Sequence, residues 1–271
     1  MGILKRVFCV VMVILGCLNT LQAHKHKEKK EKYEITQEIK VGATPIPHAQ
    51  ILQSVAEDLK EQGIALIIVP FTDYVTPNLA LIDGSLDANF FQHRPYLDRF
   101  NLDRHAHLID VASIHIEPLR FYSKKITNIK DLKKGSMIAV PNDPSNQGRA
   151  LILLHKQGII TLKDPSNLYA NEFDIIKNPY KVKIKPLESA MLAKVLDDVE
   201  GAVVPGNYAL QGKLTNPLFS EGKDSPYANI LVTREDNAEN EGIKKLIQAL
   251  QSDKTKQFIA DTYKGAIIPA F

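Results

Sequence analysis

Cysteine is confined to the first seventeen residues. Cys9 and Cys17 are the only two in the chain, so nothing beyond them can form a disulfide or offer a thiolate. The stability of the rest must come from its core. Charge of one sign is equally scarce: 34 Lys and Arg face 31 Asp and Glu, and the resulting +3 is dispersed over 271 residues. Nucleic-acid binding would call for a concentrated basic stripe, which is not there. After the apolar run Val7 to Leu15 there is no second hydrophobic span, and that run is too short to cross a bilayer as a permanent helix. The sequence also shows no internal repeat, no nucleophile elbow, no metal-spaced cluster and no phosphate-cradling glycine loop. What remains, with 44% hydrophobic residues, is enough for one large or two small globular cores and excludes a disordered chain.

The N-terminus is organised as a leader. Lys5 and Arg6 precede the apolar run, the pattern of a signal peptide over residues 1–23. Two cleavage readings stand side by side. Ile14-Leu15-Gly16-Cys17 has the form of a lipobox, which makes Cys17 the acceptor of a lipid; Leu21-Gln22-Ala23 offers a small residue for ordinary signal peptidase before His24. Gly2 does not indicate myristoylation, because position 6 is Arg where that motif needs Ser or Thr. Residues 24–37 follow as a charged linker: HKHKEKKEKYE has no aliphatic residue with which to offset the entropy of ordering. His24 and His26 lack further ligands and read as solvated linker, and no metal or other cofactor is expected.

From Glu38 the pattern alternates short apolar runs with helical periods: IKVGAT, IPHAQILQSVAEDLKEQG, IALIIVPF, a helix around Asn78 to Asp83, then DANFF. Parallel strands need crossover helices, so this rhythm predicts an α/β sheet with ligands at the carboxyl ends of its strands. A second cluster runs from MIAV through a helix at Arg149 to VKIKPL, a helix at Ala190 to Asp197 and the strand GAVVPG. Two clusters imply two lobes. Ile114 to Lys124 and Ala228 to Arg234 read as extended segments without a flanking helix, the form of hinges. Lobe 1 is then discontinuous, 38–116 and 229–271, with lobe 2 at 117–228.

Three segments carry chemistry. Thr72 to Tyr96 places Tyr74, Phe91, His93, Tyr96 and an Asn pair around one short helix whose core face is Phe71, Val75, Ala80, Leu81 and Leu86. NDPSNQGRALILL, Asn142 to Leu154, opens with Asp143 as an N-cap and Pro144 at the first helical position. Asn146 and Arg149 then share a face near the anion-attracting end of that helix. The third is DSPYANILVTRED, Asp224 to Asp236. These motifs, and the text joining them from Ile39 onward, resemble the methionine-binding lipoproteins, the NlpA or MetQ-like family of substrate-binding proteins that serve ABC importers.

The resemblance implies a type II periplasmic-binding-protein fold, two lobes of mixed sheet flanked by helices and joined by two hinge crossovers. It implies that Arg149 binds an amino acid's carboxylate; by itself, an Arg is more often a surface ion pair. Tyr74, Phe91 and Tyr96 at such spacing are more often core, but as the family's aromatic box they would surround a thioether, worth roughly 0.3–1.5 kcal/mol per contact. His93 stands where the family has a pocket histidine. Asn229 stands where it uses an amide for ligand, the alternative being a sheet-edge amide. Asn207 is the other polar candidate at the end of the GAVV strand, with Tyr208 beside it as packing. His48, His105, His107, His115 and His155 have no such context. The chain departs from the pattern at Pro205, where many members carry Asn.

The expected function is extracytoplasmic capture of L-methionine or a close analogue and its delivery to an ABC importer, whose permease and ATPase are the partners. The alternative ligands are a methionine-containing dipeptide or another apolar amino acid. The expected location is the cell envelope: the protein is held to a membrane through Cys17, or is soluble in the periplasm if cleaved near Ala23. Catalysis is not expected. Asp83, Asp87, Asp98, Ser85 and His93 include acid, base and nucleophile types, but no motif arranges them. A two-lobed regulator would need a DNA-reading helix-turn-helix where this chain has its leader.

Overall fold

The computed structural model describes residues 33–222 and 225–271; the leader, Cys17 and most of the charged linker lie outside the described residues. The first strand, β1 (Gln37–Ala43), shows how alternation becomes structure. Ile39, Val41 and Ala43 are buried, while Glu38 and Lys40 stay in solvent. A turn at Pro45–Ala49 leads into α1 (Gln50–Lys60), which buries Ile51, Leu52, Val55 and Leu59 along one stripe. Strand β2 (Ile64–Pro70) returns parallel to β1. Helix α2 (Thr76–Ile82) carries the chain to β3 (Ala88–His93), also parallel to β1. All six residues of β3 are buried, because it lies inside the sheet. Helix α3 (Arg94–Arg104) and β4 (Leu108–Ile116) complete the first run.

The chain crosses at Glu117–Leu119 to a second sheet. Its strands are β5 (Arg120–Tyr122), β6 (Met137–Pro141), β9 (Lys183–Leu187), β10 (Gly201–Val204) and β11 (Phe219–Ser220), in the order β11-β5-β10-β6-β9. Helix α4 (Pro144–Lys156) follows β6, the small pair β7 (Thr161–Leu162) and β8 (Ile175–Lys177) precedes β9, and α5 (Gly206–Gln211) follows β10. A second crossing brings β12 (Ala228–Arg234) back between β3 and β4, antiparallel to both. Helices α6 (Glu241–Leu250) and α7 (Asp253–Tyr263) and a short β13 (Ile268–Pro269) finish the six-stranded first sheet, β13-β4-β12-β3-β1-β2. Each sheet has its own apolar core. One is built on Val41, Ile51, Phe90, Leu231 and Leu246, the other on Phe121, Ile138, Leu151, Leu154 and Val203. The result is a two-lobe α/β fold.

Two expectations are corrected. Val75 belongs to no core: it is 44% exposed, with Leu79 and Ile82 also outward, so the buried side of α2 is Pro77, Asn78 and Leu81. The segment Ala190 to Asp197 does not form a continuous helix. After a 3-10 turn at Ser189–Met191, its amides alternate between partners three and four residues back, as in Lys194 and Val195, which both reach the Met191 carbonyl. Leu192, Leu196 and Val199 are buried all the same. The demand for burial is met by a series of turns, and two consecutive aspartates, Asp197 and Asp198, give a regular helix little support. The β7–β8 pair was not anticipated; two- and three-residue strands leave no usable periodicity.

Helix α4 packs closely against a loop of its own lobe. Gly148, on α4 between Asn146 and Arg149, touches the backbone of a neighbouring loop: a Cβ there would lie 2.2 Å from the Leu168 carbonyl oxygen and 2.9 Å from the Ala170 nitrogen. Backbone cannot swing aside as a side chain can. Gly148→Ala is therefore expected to destabilise the protein by about 1–3 kcal/mol, and urea denaturation followed by circular dichroism checks this; an unchanged midpoint would mean that the loop yields freely.

Candidate ligand-binding site

A cavity lies between the two sheets, lined by His93 at the carboxyl end of β3, Pro205 just after β10 and the first turn of α4 after β6. About 340 Å3 of space lies outside the protein atoms there, open solvent at its mouth included. Its walls include Tyr74, Phe91, His93, Tyr96, Asn146, Arg149, Asn207 and Asn229, so all eight residues expected from the sequence face one space. Gln92, Glu117, Pro205 and Gly206 complete the lining.

One wall is aromatic. Tyr74, Phe91 and Tyr96 have ring centroids 5.9 to 6.1 Å apart, within the range of edge-to-face contact. Their polar ends are already engaged: Tyr74 donates to Asn207 Oδ1 at 2.6 Å, and Tyr96 donates to the Tyr74 carbonyl at 2.7 Å. Burial holds both phenols protonated, with their pKa values raised. What they offer the cavity is ring surface. Behind them Asn78, Asn89 and Gln92 exchange amide hydrogen bonds of 2.7 to 3.0 Å and pin α2 to β3. This buried polar network is fully internal, and it gives the Asn pair a structural role.

His93 ends β3 and caps α3, its Nδ1 accepting from the Tyr96 amide at 3.2 Å. That leaves the hydrogen on Nε2, which donates to Asn146 Oδ1 at 2.9 Å. Burial and the nearby Arg149 charge lower its pKa to about 4, so the ring is neutral at pH 7. With both nitrogens occupied, His93 joins the lobes through Asn146 and has no hydrogen-bonding atom left over. Asn146 in turn donates to the Asp143 carboxylate at 3.0 and 3.1 Å, and Asp143 caps α4 as expected.

Arg149 is 4% exposed and no surface residue, but its main partner belongs to the protein. Nε and Nη2 take both oxygens of Glu221 at 2.7 and 2.5 Å, Nη2 also reaches the Glu117 carbonyl, and the guanidinium lies 4.3 Å above the Tyr227 ring. Glu221 and Tyr227 belong to the second crossing. Nη1 is the guanidinium nitrogen outside these bonds.

Glu117 is the group that sequence reading missed. At the first crossing, 5% exposed, it accepts from His115 Nε2 at 2.8 Å, lies 3.3 Å from His48 Nε2, and receives the Asn207 backbone N–H. Burial opposes its charge; the two imidazoles and that amide outweigh burial and hold its pKa below the usual value. Gly206 makes room for it, since a Cβ at that position would fall 3.1 Å from Glu117 Oε2. His48 and His115 were given no role from sequence, yet they form the floor behind the cavity. With Glu117 they could be taken for a metal set, but a nitrogen 2.8 Å from a carboxylate oxygen is a hydrogen bond already made. A signal was present in the sequence: IHIE puts a histidine and an acid two residues apart at a strand end, where their side chains share a face. Of the enzyme-type residues only His93 is in the cavity lining, and Asp83 accepts from the Ser85 amide on the surface.

Against this geometry the relatives can be compared. The model of the NlpA lipoprotein family matches residues 39–271. The chain belongs to that family. The match takes in every residue of the cavity wall. Among NlpA relatives, a probable D-methionine-binding lipoprotein MetQ of Pasteurella multocida is 44% identical over 232 residues, 84% of each chain. The D-methionine-binding lipoprotein MetQ of Escherichia coli K12 is 40% identical over 268 residues, 97% of each. Among solved structures, a nutrient binding protein from Burkholderia cenocepacia bound to methionine shares 42% identity at a TM-score of 0.84, covering 86% of this chain and 100% of the other. Lipoprotein Tp32 from Treponema pallidum shares 37% at 0.83, covering 86% and 99%.

Two of the buried imidazoles, His48 and His93, make stability depend on pH. His48, like His93, has a pKa lowered to about 4, in its case by burial first. Unfolded histidines, near 6.5, bind protons that the folded ones refuse, so stability is full above about 6.5 and falls as pH drops toward 4, by on the order of 3 kcal/mol for each histidine. Glu117 adds loss in the same direction below its ordinary range, and Asp143, whose pKa burial raises, opposes it there. Urea unfolding at pH 7 and pH 4.5 is expected to show a clear drop, reduced in His93→Gln. A flat profile would mean that neither ring is held neutral.

Proposed function

We propose that this protein captures L-methionine or a close analogue outside the cytoplasm and delivers it to an ABC importer. The observation that carries the reading is the union, in one cavity, of an aromatic wall with no free polar atom and a charged end holding Glu117, Arg149 and two amides. An amino acid with an apolar, polarizable side chain matches that division. Its side chain lies against Tyr74, Phe91 and Tyr96. Its ammonium meets Glu117, whose charge is held in place by the protein. Its carboxylate meets N–H groups of Asn207 and Asn229 and Arg149 Nη1, while His93 and Asn146 close the lobes over it. The binding of methionine by the Burkholderia cenocepacia protein supports this assignment. So do the names of the relatives, which specify D-methionine and make the enantiomer part of the test. Pro205 removes one amide from the wall, which is the reason to include methionine-containing dipeptides.

Binding, and not catalysis, is the inferred task, since the cavity's titratable groups are each tied to a protein partner. The partners are a permease and its ATPase. The lobes are taken as 38–116 with 229–271, and 117–228, with the crossings as hinges.

Calorimetry with L-methionine, D-methionine, methionine dipeptides and glutamate tests the ligand. At 100 times the dissociation constant, the true ligand raises stability by about 2.7 kcal/mol, seen as a higher melting temperature. Methionine is expected to produce this and glutamate is not; a glutamate-selective shift would sink the thioether box. Arg149→Ala is expected to lose both binding and stability, because it also strands the largely buried carboxylate of Glu221.

We place the protein in the cell envelope, anchored through Cys17. Its relatives are named lipoproteins, those aligned over 97% of this chain reach its leader, and no helix among the described residues is long and apolar enough to cross a membrane. Labelled palmitate is expected to enter the wild-type protein in cells and not Cys17→Ser. Labelling absent from both would favour cleavage near Ala23 and a soluble form.

A further inference from the structure

The polarity of the cavity wall is set from behind it. His48 lies in the turn Pro45–Ala49, fully buried and outside the cavity lining. Its Nε2 is 3.0 Å from Asn229 Oδ1 and 3.3 Å from Glu117 Oε1. An ionised carboxylate oxygen can only accept, so Nε2 must carry the ring hydrogen. The ring is neutral at pH 7, which leaves Nδ1 as an acceptor, and the Thr44 hydroxyl 2.6 Å away donates to it. An Nε2–H donor admits only the oxygen of the Asn229 amide on its side. The nitrogen of that amide is then on the other side, where no described residue bonds it and where Asn229 lines the cavity.

We infer that His48 is a positioning residue: it holds the Asn229 amide so that an N–H donor, not a carbonyl acceptor, meets the ligand, and thereby selects for a carboxylate at that point. This rests on the amino-acid reading given above. The same polarity recurs across the cavity. Tyr74 donates into Asn207 Oδ1, and Asn207 Nδ2 is buried with no partner in the protein. Two amides, one on α5 and one on β12, therefore present nitrogen to the same space, each oriented by a donor bound to its oxygen. An Asn229 amide turned the other way would place a carbonyl oxygen against the ligand's carboxylate, a repulsive contact where an attractive one is needed.

The ring state is readable without ligand. Long-range 1H–15N spectra of histidine-labelled protein are expected to show His48 as the Nε2–H tautomer, shifted toward a mixture in Thr44→Val, which keeps the shape of the side chain and removes its hydroxyl. For binding, His48→Leu is expected to raise the dissociation constant for L-methionine about tenfold, and the preference for L-methionine over L-methioninamide is expected to shrink. In an Asn229→Ala background the same substitution is expected to cost less than threefold, since its effect passes through that amide. Equal losses in both backgrounds, an unaltered methioninamide ratio, or a wild-type ring in the Nδ1–H form would each overturn the inference. If His48→Leu does not fold, the Thr44→Val spectrum and affinity decide. If the wild-type protein binds no methionine, the amino-acid reading fails, while the tautomer still supports or overturns the orientation of Asn229.

Discussion

The interaction on which the rest of the site depends is the burial of the Glu117 carboxylate. A charge held away from water must be surrounded by donors or it will be neutralised. This one is satisfied from both lobes: by His115 on β4, His48 after β1, and the Asn207 amide at the start of α5. Each of those contacts constrains something else. Both imidazoles are aimed with Nε2 toward the carboxylate, the turn after β1 is drawn to the crossing, and Gly206 is left without room for a side chain. The cavity thereby acquires an anionic point that does not depend on what occupies it.

Arg149 and Glu221 form the complementary constraint. The guanidinium joins α4 to the second crossing as Glu117 joins the first, so both connections between the lobes terminate in buried charge near the same cavity. Glu221 also accepts the Leu119 amide at 2.9 Å, which ties the two crossings to each other. A hinge built this way has a defined closed geometry: Tyr208 reaches the Thr72 carbonyl, Tyr169 the Pro95 carbonyl and His93 the Asn146 amide, each bond bridging the lobes. Such bonds are individually modest, about 1 kcal/mol net. The contact between the lobes is therefore set by several small terms, which suits a protein that must take up a ligand and release it.

Much was legible in the sequence because local rules carried it. Alternation in IKVGAT and IALIIVPF and the Asp143-Pro144 helix start each map onto an element with nearly the expected bounds, whereas Ala228 to Arg234, read as a hinge, is an inner strand of the first sheet. The eight proposed ligand residues were found because their motifs resemble those of a family, and their spacing alone would have left them in the core. What failed did so for physical reasons. Ala190 to Asp197 has helical spacing but only needed its apolar residues covered, and Val75 sits at a helix start whose outward side faces solvent. Glu117, His48 and His115 were passed over because a buried charge is intelligible only when its donors are known, and those donors lie 2, 69 and 90 positions away.

By itself, then, the sequence determined the α/β class, the two lobes with their double crossing, and the absence of disulfide and thiolate chemistry beyond the leader. Those features depend on periodicity, capping and composition, all of which act over a few residues. Only the tertiary structure decided how the polar groups are used. It gave Arg149 to Glu221, took both nitrogens of His93, and turned the amides of Asn207 and Asn229 so that their N–H groups face the cavity. Hydrogen-bond direction is set by the partner, and the partners that decide it here are remote in sequence: Glu221 for Arg149, Asn146 for His93, Tyr74 for Asn207 and His48 for Asn229.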